Sequence, residues 1–185
     1  MIYLVRHGQT DWNVEGRIQG FTDIPLNDVG RAQAAEVAKL VRSRVDCGEY
    51  EITHIFSSDL GRAAETARAI GGALGLGVVL DGRLREHMKG EMEGQFWSDE
   101  VFGEFRRHPE KFGAETGRQL FARCRAFLDE LRAKNVKNAL VVSHGGTIVM
   151  LAYAASYDEY SLEKYEPFAY ELRGVKNCEI VEVAL

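Results

Sequence analysis

Short apolar runs alternate with helix-like segments along this chain, and that alternation limits the folds open to it. The first run, MIYLV, is rich in strand formers and has no polar-apolar alternation, as in a strand buried on both faces. THIFSS at 53–58, GVVLD at 77–81 and NALVVS at 138–143 read as further strands. Helical patterns fall at 26–42, 58–74, 113–133 and 144–155, with a short helix at 99–109 stopped near Pro109. FAYEL at 168–172 and CEIVEV at 178–183 read as two closing strands, the second alternating. The order predicts an α/β chain: a three-layer α/β/α sandwich with a central, mostly parallel sheet. Right-handed crossovers put helices on both faces. No linker or internal repeat divides the chain, so residues 1–185 are read as a single domain.

Local signals sharpen these elements. Asn27 or Asp28 can cap the first long helix, and Val29, Val37, Leu40 and Val41 give it an apolar stripe. Ser58 or Asp59 stands near the cap of the next. Leu120, Cys124, Phe127, Leu128 and Leu131 share one face of the helix at 113–133. Two polar, glycine-punctuated stretches, 8–25 and 82–97, show no period. Long irregular segments beside strand ends are where function tends to sit.

The charge of −5, with acids and bases well mixed, disfavours a nucleic-acid partner. No run is long enough for a transmembrane helix, and Arg6 interrupts the first apolar residues too early for a signal peptide. The three cysteines, Cys47, Cys124 and Cys178, are odd in number and far apart, as free thiols in a reducing compartment would be. A cytoplasmic protein without a membrane partner is expected.

The predicted topology gathers distant residues at one address. Arg6 and His7 close the first strand, Arg62 opens the helix after the second, Glu86 follows the third and His144 closes the fourth. Ligands of open α/β sheets bind beyond the carboxyl ends of the strands. Two guanidiniums and a helix N-terminus suit phosphoryl oxygens. A neutral imidazole can attack phosphorus, splitting one displacement into two through a phosphohistidine. A carboxyl such as Glu86 can protonate the leaving oxygen if burial raises its pKa toward neutrality.

The segment LVRHGQTDWN resembles the signature of the histidine phosphatase superfamily, the phosphoglycerate-mutase-like fold. GRIQGFTDIPLNDVG, SSDLGRAAETA, LREHMKGEMEG, GAET and SHGG match its pattern in order, over nearly the whole chain. The resemblance implies that His7 is the phosphorylated nucleophile. Arg6, Arg62 and His144 would form the phosphate pocket with it, Asn13 would contact the phosphoryl group, and Glu86 would be the proton donor. It further implies that Gln19 and Gly20 shape the rim, that Gly8 and Gly145 permit close backbone approach, and that Glu115 and Thr116 lie near the pocket. No metal and no cofactor is implied. Lys89 stands where many relatives have phenylalanine, and GAET replaces the usual glycine-glycine-glutamate-serine. Lys89 could meet an additional negative charge.

Other readings compete residue by residue. Asp11, Trp12 and Phe21 line the mouth of the pocket, or Trp12 packs its loop down. Phe96, Trp97, Phe102 and Phe105 are expected in a small apolar cluster. Ser57 and Ser58 read as turn and cap residues, and His54, His87 and His108 as surface or local hydrogen-bonding groups. The activity expected is hydrolysis of a small phosphorylated metabolite: a sugar phosphate, a compound such as α-ribazole phosphate, or a phosphoprotein. Beside cofactor-dependent phosphoglycerate mutases the chain is short. It lacks their insert after the acid, and no C-terminal cover for the site is expected. Mutase activity and a non-catalytic phospho-ligand module are the alternatives. The protein is expected as a monomer or a homodimer, the alternating last strand being a candidate edge.

Overall fold

The structure is a computed structural model. It describes residues 1–96, 98–172 and 174–185, leaving aside the side chains of 99–102. The expected places of Trp97 and Phe102 in an apolar cluster lie outside the described residues and side chains.

Five strands form one sheet in the order β3-β2-β4-β1-β5. They are β1 (Ile2–Arg6), β2 (His54–Ser57), β3 (Val78–Leu80), β4 (Ala139–Ser143) and β5 (Ile180–Val183). The first four run parallel; β5 closes the sheet antiparallel to β1. β4 is buried at every position and β1 at four of its five, which explains their unbroken apolar runs.

Helices cover both faces. On one, α2 (Asp28–Asp46) and α3 (Gly61–Leu74) pack Val37, Val41, Ala63, Ala67 and Ile70 against Tyr3, Val5, Ile55 and Val142. On the other, α5 (Gly117–Ala133) and α6 (Gly145–Ser156) pack Leu120, Phe127, Leu128 and Ile148 against Ile2, Leu4 and Val141. All five positions expected on the buried face of α5 are buried. Truncating Leu128 to alanine there would cost roughly 2–5 kcal/mol. Asn27 caps α2, its side chain accepting from the Gly30 amide at 2.8 Å. The stripe predicted on α2 is half correct: Val37 and Val41 are buried, while Val29 and Leu40 are exposed. Small residues, Ala34 and Ala38, complete the buried face instead, because α2 and α3 lie close together, while Gly30 packs against the Gln9 backbone.

Two short helices punctuate the irregular stretches, α1 (Asp11–Glu15) and α4 (Asp99–Arg107). The main departure is at 168–172. FAYEL belongs to a helix, α7 (Leu162–Glu171), and not to a strand, so β5 closes the sheet alone. Ser161 stands at its start with Glu163 in the first turn, a helix-start pattern. Pro167 inside the helix masks that signal. Among the described residues no helix is long and apolar enough to cross a membrane.

Candidate active site

Register builds the site. Arg6 pairs with Ser143 across β1 and β4, so the next residues, His7 and His144, emerge side by side with ring centroids 5.0 Å apart. Ser57 pairs with Val142, which brings Ser58 and the start of α3 to the same end. Arg6, His7, Asn13, Gln19, Arg62, Glu86 and Gly145 line one cavity of about 530 Å³. Four of the five groups expected in one crevice, Arg6, His7, Arg62 and Glu86, line it together; His144 does not line it and stands fully buried beside His7.

His7 is buried. Its Nδ1 lies 2.6 Å from the Gly8 carbonyl. A carbonyl can only accept, so Nδ1 carries the proton and Nε2 keeps its lone pair. Burial, then the charges of Arg62 and Arg6, hold the imidazole pKa well below its usual value. The ring is therefore neutral at physiological pH, as a nitrogen nucleophile must be.

Arg62 is fully buried. Its Nη1 and Nη2 donate to the carbonyls of Thr22 (2.9 Å) and Gly20 (2.8 Å), so Gly20 acts by aiming this guanidinium. A Cβ at Gly20 would lie 2.1 Å from Glu93 Oε1, where Glu93 ties the 20–22 turn to residue 89. Arg6 donates to the Val175 carbonyl at 2.6 Å. Among the described residues, the buried side-chain nitrogens without a hydrogen-bond partner are Arg6 Nε, Arg62 Nε and His144 Nδ1.

Asn13 and Thr10 cap α1 reciprocally. Asn13 Oδ1 accepts from the Thr10 amide (3.1 Å) and from Asn177 (3.3 Å), and Gln19 Oε1 accepts from the Thr10 hydroxyl (3.0 Å). Both side chains line the cavity, and with their oxygens committed, their amide NH₂ groups are the ones an anion would meet.

Glu86 sits at the N-terminus of α6. Its oxygens accept from the amides of His87 (2.8 Å), Gly146 (3.2 Å) and Thr147 (3.1 Å). Burial pushes its pKa up, but the Lys89 ammonium and these amides outweigh burial, and the net shift is downward. This corrects the expectation that burial alone would bring Glu86 toward neutrality. Lys89 also lines the cavity and donates to His87 Nδ1 at 2.9 Å. His87 Nε2 in turn meets the Glu115 carbonyl at 2.5 Å, and its pKa is lowered to about 4, mainly by burial.

Two expected pocket residues are placed elsewhere. Glu115 pairs with Arg123 at 2.7 Å, and Arg123 also holds the carbonyls of Arg83, Arg85 and Glu86. Thr116 caps α5 in a reciprocal capping box with Gln119. Neither lines the cavity. Their contribution runs through the loop that carries Glu86. Trp12 packs over Gly94, Asp11 accepts from Asn27, and Phe21 lies under the Arg85 guanidinium, so none of the three lines the cavity mouth. Phe105 joins Ile18, Met92 and Ala114 in a small cluster, and Phe96 is exposed under Arg17.

Besides Arg17, Ile18, Val149, Gly174 and Val175, which also line the cavity, sequence reasoning missed two contributors. Tyr165, Ala169 and Leu172, on or just after α7, wall the cavity, which was expected to lie uncovered. Ser58, read as a turn residue, hydrogen-bonds His144 Nε2 at 2.9 Å. The Ser161–Glu163 pattern could have revealed the first; no local signal marks the second.

Known proteins agree with this arrangement. The profile of the histidine phosphatase superfamily (branch 1) matches residues 2–184. Phosphoglycerate mutase-like protein 4 of Arabidopsis thaliana is 37% identical over 175 residues, covering 88% of this chain and 74% of the relative. The probable phosphoglycerate mutase GpmB of Enterobacter sp. (strain 638) is 42% identical over 156 residues, covering 78% and 69%. Among solved structures, a mycobacterial glucosyl-3-phosphoglycerate phosphatase superposes with a TM-score of 0.80 at 30% identity, covering 97% of this chain and 88% of that one. A phosphoserine phosphatase of Entamoeba histolytica, in complex with 3-phosphoglyceric acid, gives 0.74 at 30% identity, covering 97% and 87%. Fold, profile and relatives converge: this chain belongs to the histidine phosphatase superfamily, branch 1.

Proposed function

We propose that the protein hydrolyses small phosphomonoesters through a phosphohistidine at His7. The observation that carries this reading is the set of three orphaned nitrogens, Arg6 Nε, Arg62 Nε and His144 Nδ1, gathered around a neutral imidazole. Unsatisfied buried donors are costly, and phosphoryl oxygens are the acceptors that would satisfy all three.

His7 Nε2 attacks phosphorus in line, forming a P–N bond as the P–O bond to the alcohol breaks. Arg6, Arg62 and His144 stabilise the charge on the phosphoryl oxygens. Glu86 gives its proton to the departing alkoxide. In the free protein Glu86 is held ionised by Lys89 and the α6 amides. A bound phosphate ester brings negative charge beside it, which raises its pKa and loads the acid only when substrate is present. In the second half, water attacks phosphorus, Glu86 takes its proton, and the P–N bond breaks to release inorganic phosphate and free His7.

The same intermediate could return its group to a second alcohol, and one observation favours that mutase reading: Tyr165 and Ala169 of α7 add a wall to the cavity where none was expected. Relatives carrying mutase names add to it. The phosphatases among the structural relatives favour hydrolysis.

The test is turnover of an aryl phosphate in EDTA, with rapid acid-free quenching and mass spectrometry of the protein. A transient, acid-labile +80 Da adduct on His7 is expected, and His7→Ala abolishes both adduct and turnover. An adduct elsewhere, or product without any adduct, overturns the reading. Offering 3-phosphoglycerate with a trace of 2,3-bisphosphoglycerate separates the two activities: isomer forming faster than inorganic phosphate would make the mutase the better description.

A further inference from the structure

A second cavity, of about 460 Å³, lies against the catalytic one. Three residues, Lys89, Tyr165 and Ala169, line both. We infer that the two form one bipartite site, in which the second cavity receives an aryl or similarly flat apolar group on the alcohol part of the substrate. The inference rests on the phosphomonoesterase reading for its orientation.

The direction follows from the chemistry. In-line displacement puts the leaving oxygen on the side of phosphorus opposite His7, within reach of Glu86. Glu86 and Lys89 line the catalytic cavity together, and Lys89 also lines the second, so an alcohol that leaves beside Glu86 has Lys89 and the second cavity within its reach. Beyond Lys89 the second cavity begins.

Its walls suit an apolar group. Phe105, Leu120, Met150, Tyr160 and Leu162 line it without reaching the catalytic cavity. Tyr160 and Tyr165 stand 5.8 Å apart, in the range of ring pairs that could be extended by a third ring. The charged groups around it already have partners: Arg106 pairs with Glu166, and Lys89 donates to His87, which meets the Glu115 carbonyl. Such a lining, aromatic and aliphatic around a few tyrosine hydroxyls, rewards removal of apolar surface from water. Lys89 at the neck sets polarity, with the anionic phosphoryl end on the catalytic side and the ring beyond.

Phosphonates test the subsite without any bond being broken. Calorimetric titration of the full chain with propylphosphonate and 3-phenylpropylphosphonate is expected to show at least tenfold tighter binding of the phenyl compound. Leu162→Trp, which fills the second cavity from its exposed rim, is expected to bring that ratio near one. Leu162→Glu serves as the second variant, and propylphosphonate binding reports that each variant retains its phosphate pocket. Equal affinities in the unaltered protein, or a ratio that survives both substitutions, overturns the inference. Ethyl and 2-phenylethyl phosphate are then offered as substrates. Discrimination between the phosphonates with no phosphate released from either ester would leave the subsite standing and remove the phosphatase reading alone.

Discussion

The Ser58 hydroxyl lies 2.9 Å from His144 Nε2, a side-chain contact that ties the end of β2 to the end of β4. Ser58 Oγ also accepts from the Leu60 amide at 3.2 Å; under the proposed mechanism a phosphoryl oxygen at the partnerless Nδ1 calls for a proton there, which leaves Nε2 to accept the Ser58 hydrogen. Burial, with the nearby cations Arg62 and Arg6 and the His7 ring, holds the His144 pKa well below its usual value, so the ring is a neutral donor with one proton, and Ser58 is the partner of its other nitrogen.

Ser58→Ala is therefore expected to lower kcat about tenfold with a smaller change in KM. Nitrogen-15 NMR of the ring should show the Nδ1-protonated tautomer in the unaltered protein and a mixture in the variant. Ser58→Thr, keeping the hydroxyl, should restore a single tautomer. A variant with unchanged tautomer and unchanged kcat would remove Ser58 from the mechanism.

Lys89 tunes the acid. Its ammonium is the largest of the influences that lower the Glu86 pKa. Lys89→Met should raise that pKa, keeping Glu86 protonated to higher pH. The alkaline limb of kcat, which reports the substrate complex, should move up by roughly one pH unit, while Lys89→Arg leaves it in place. A limb that does not move, or moves down, would mean that Glu86 is not the group titrating there.

Acid should destabilise the fold early. The His7, His144 and His87 pKa values all lie below the ordinary histidine value, His87 at about 4. In the window beneath the unfolded value of about 6.5 the unfolded chain binds more protons, so stability rises with pH. The contribution is complete above that value and is lost progressively as pH falls below it. The melting temperature should drop by about 5 °C or more between pH 7.5 and pH 5. A flat or rising melting temperature over that interval would contradict the neutral, buried state of these rings.

The loop carrying His7 is held by two glycines in contact. A Cβ at Gly30 would lie 2.0 Å from the Gln9 carbonyl oxygen, and one at Gly8 would lie 2.4 Å from the Gly30 oxygen. Both obstacles are backbone, so neither gives way like a side chain. Gly30→Ala should cost about 2–3 kcal/mol in chemical denaturation and lower activity by displacing His7. Ala34, also buried and one helical turn further along α2, is the control: Ala34→Gly should reduce stability by about 1 kcal/mol without altering KM.

What was legible in the sequence was local or was carried by the resemblance. Apolar runs marked the strands, periodicity marked the buried face of α5, and the motif segments marked Arg6, His7, Arg62, Glu86 and His144. Each such signal lies within a few neighbouring residues, where strand and helix periods are set. FAYEL shows where that ends: five residues, mostly apolar, fit either period, and packing of Tyr165 and Phe168 against the α5–α6 face selects helix. Only the tertiary structure decided that Glu115 spends its charge on Arg123, that Ser58 reaches His144 across 86 residues, and that Lys89 together with the backbone amides outweighs burial at Glu86. Hydrogen bonds and Coulomb interactions depend on separation in space, and the crossovers of a parallel sheet bring together groups whose separation in sequence says nothing about that distance.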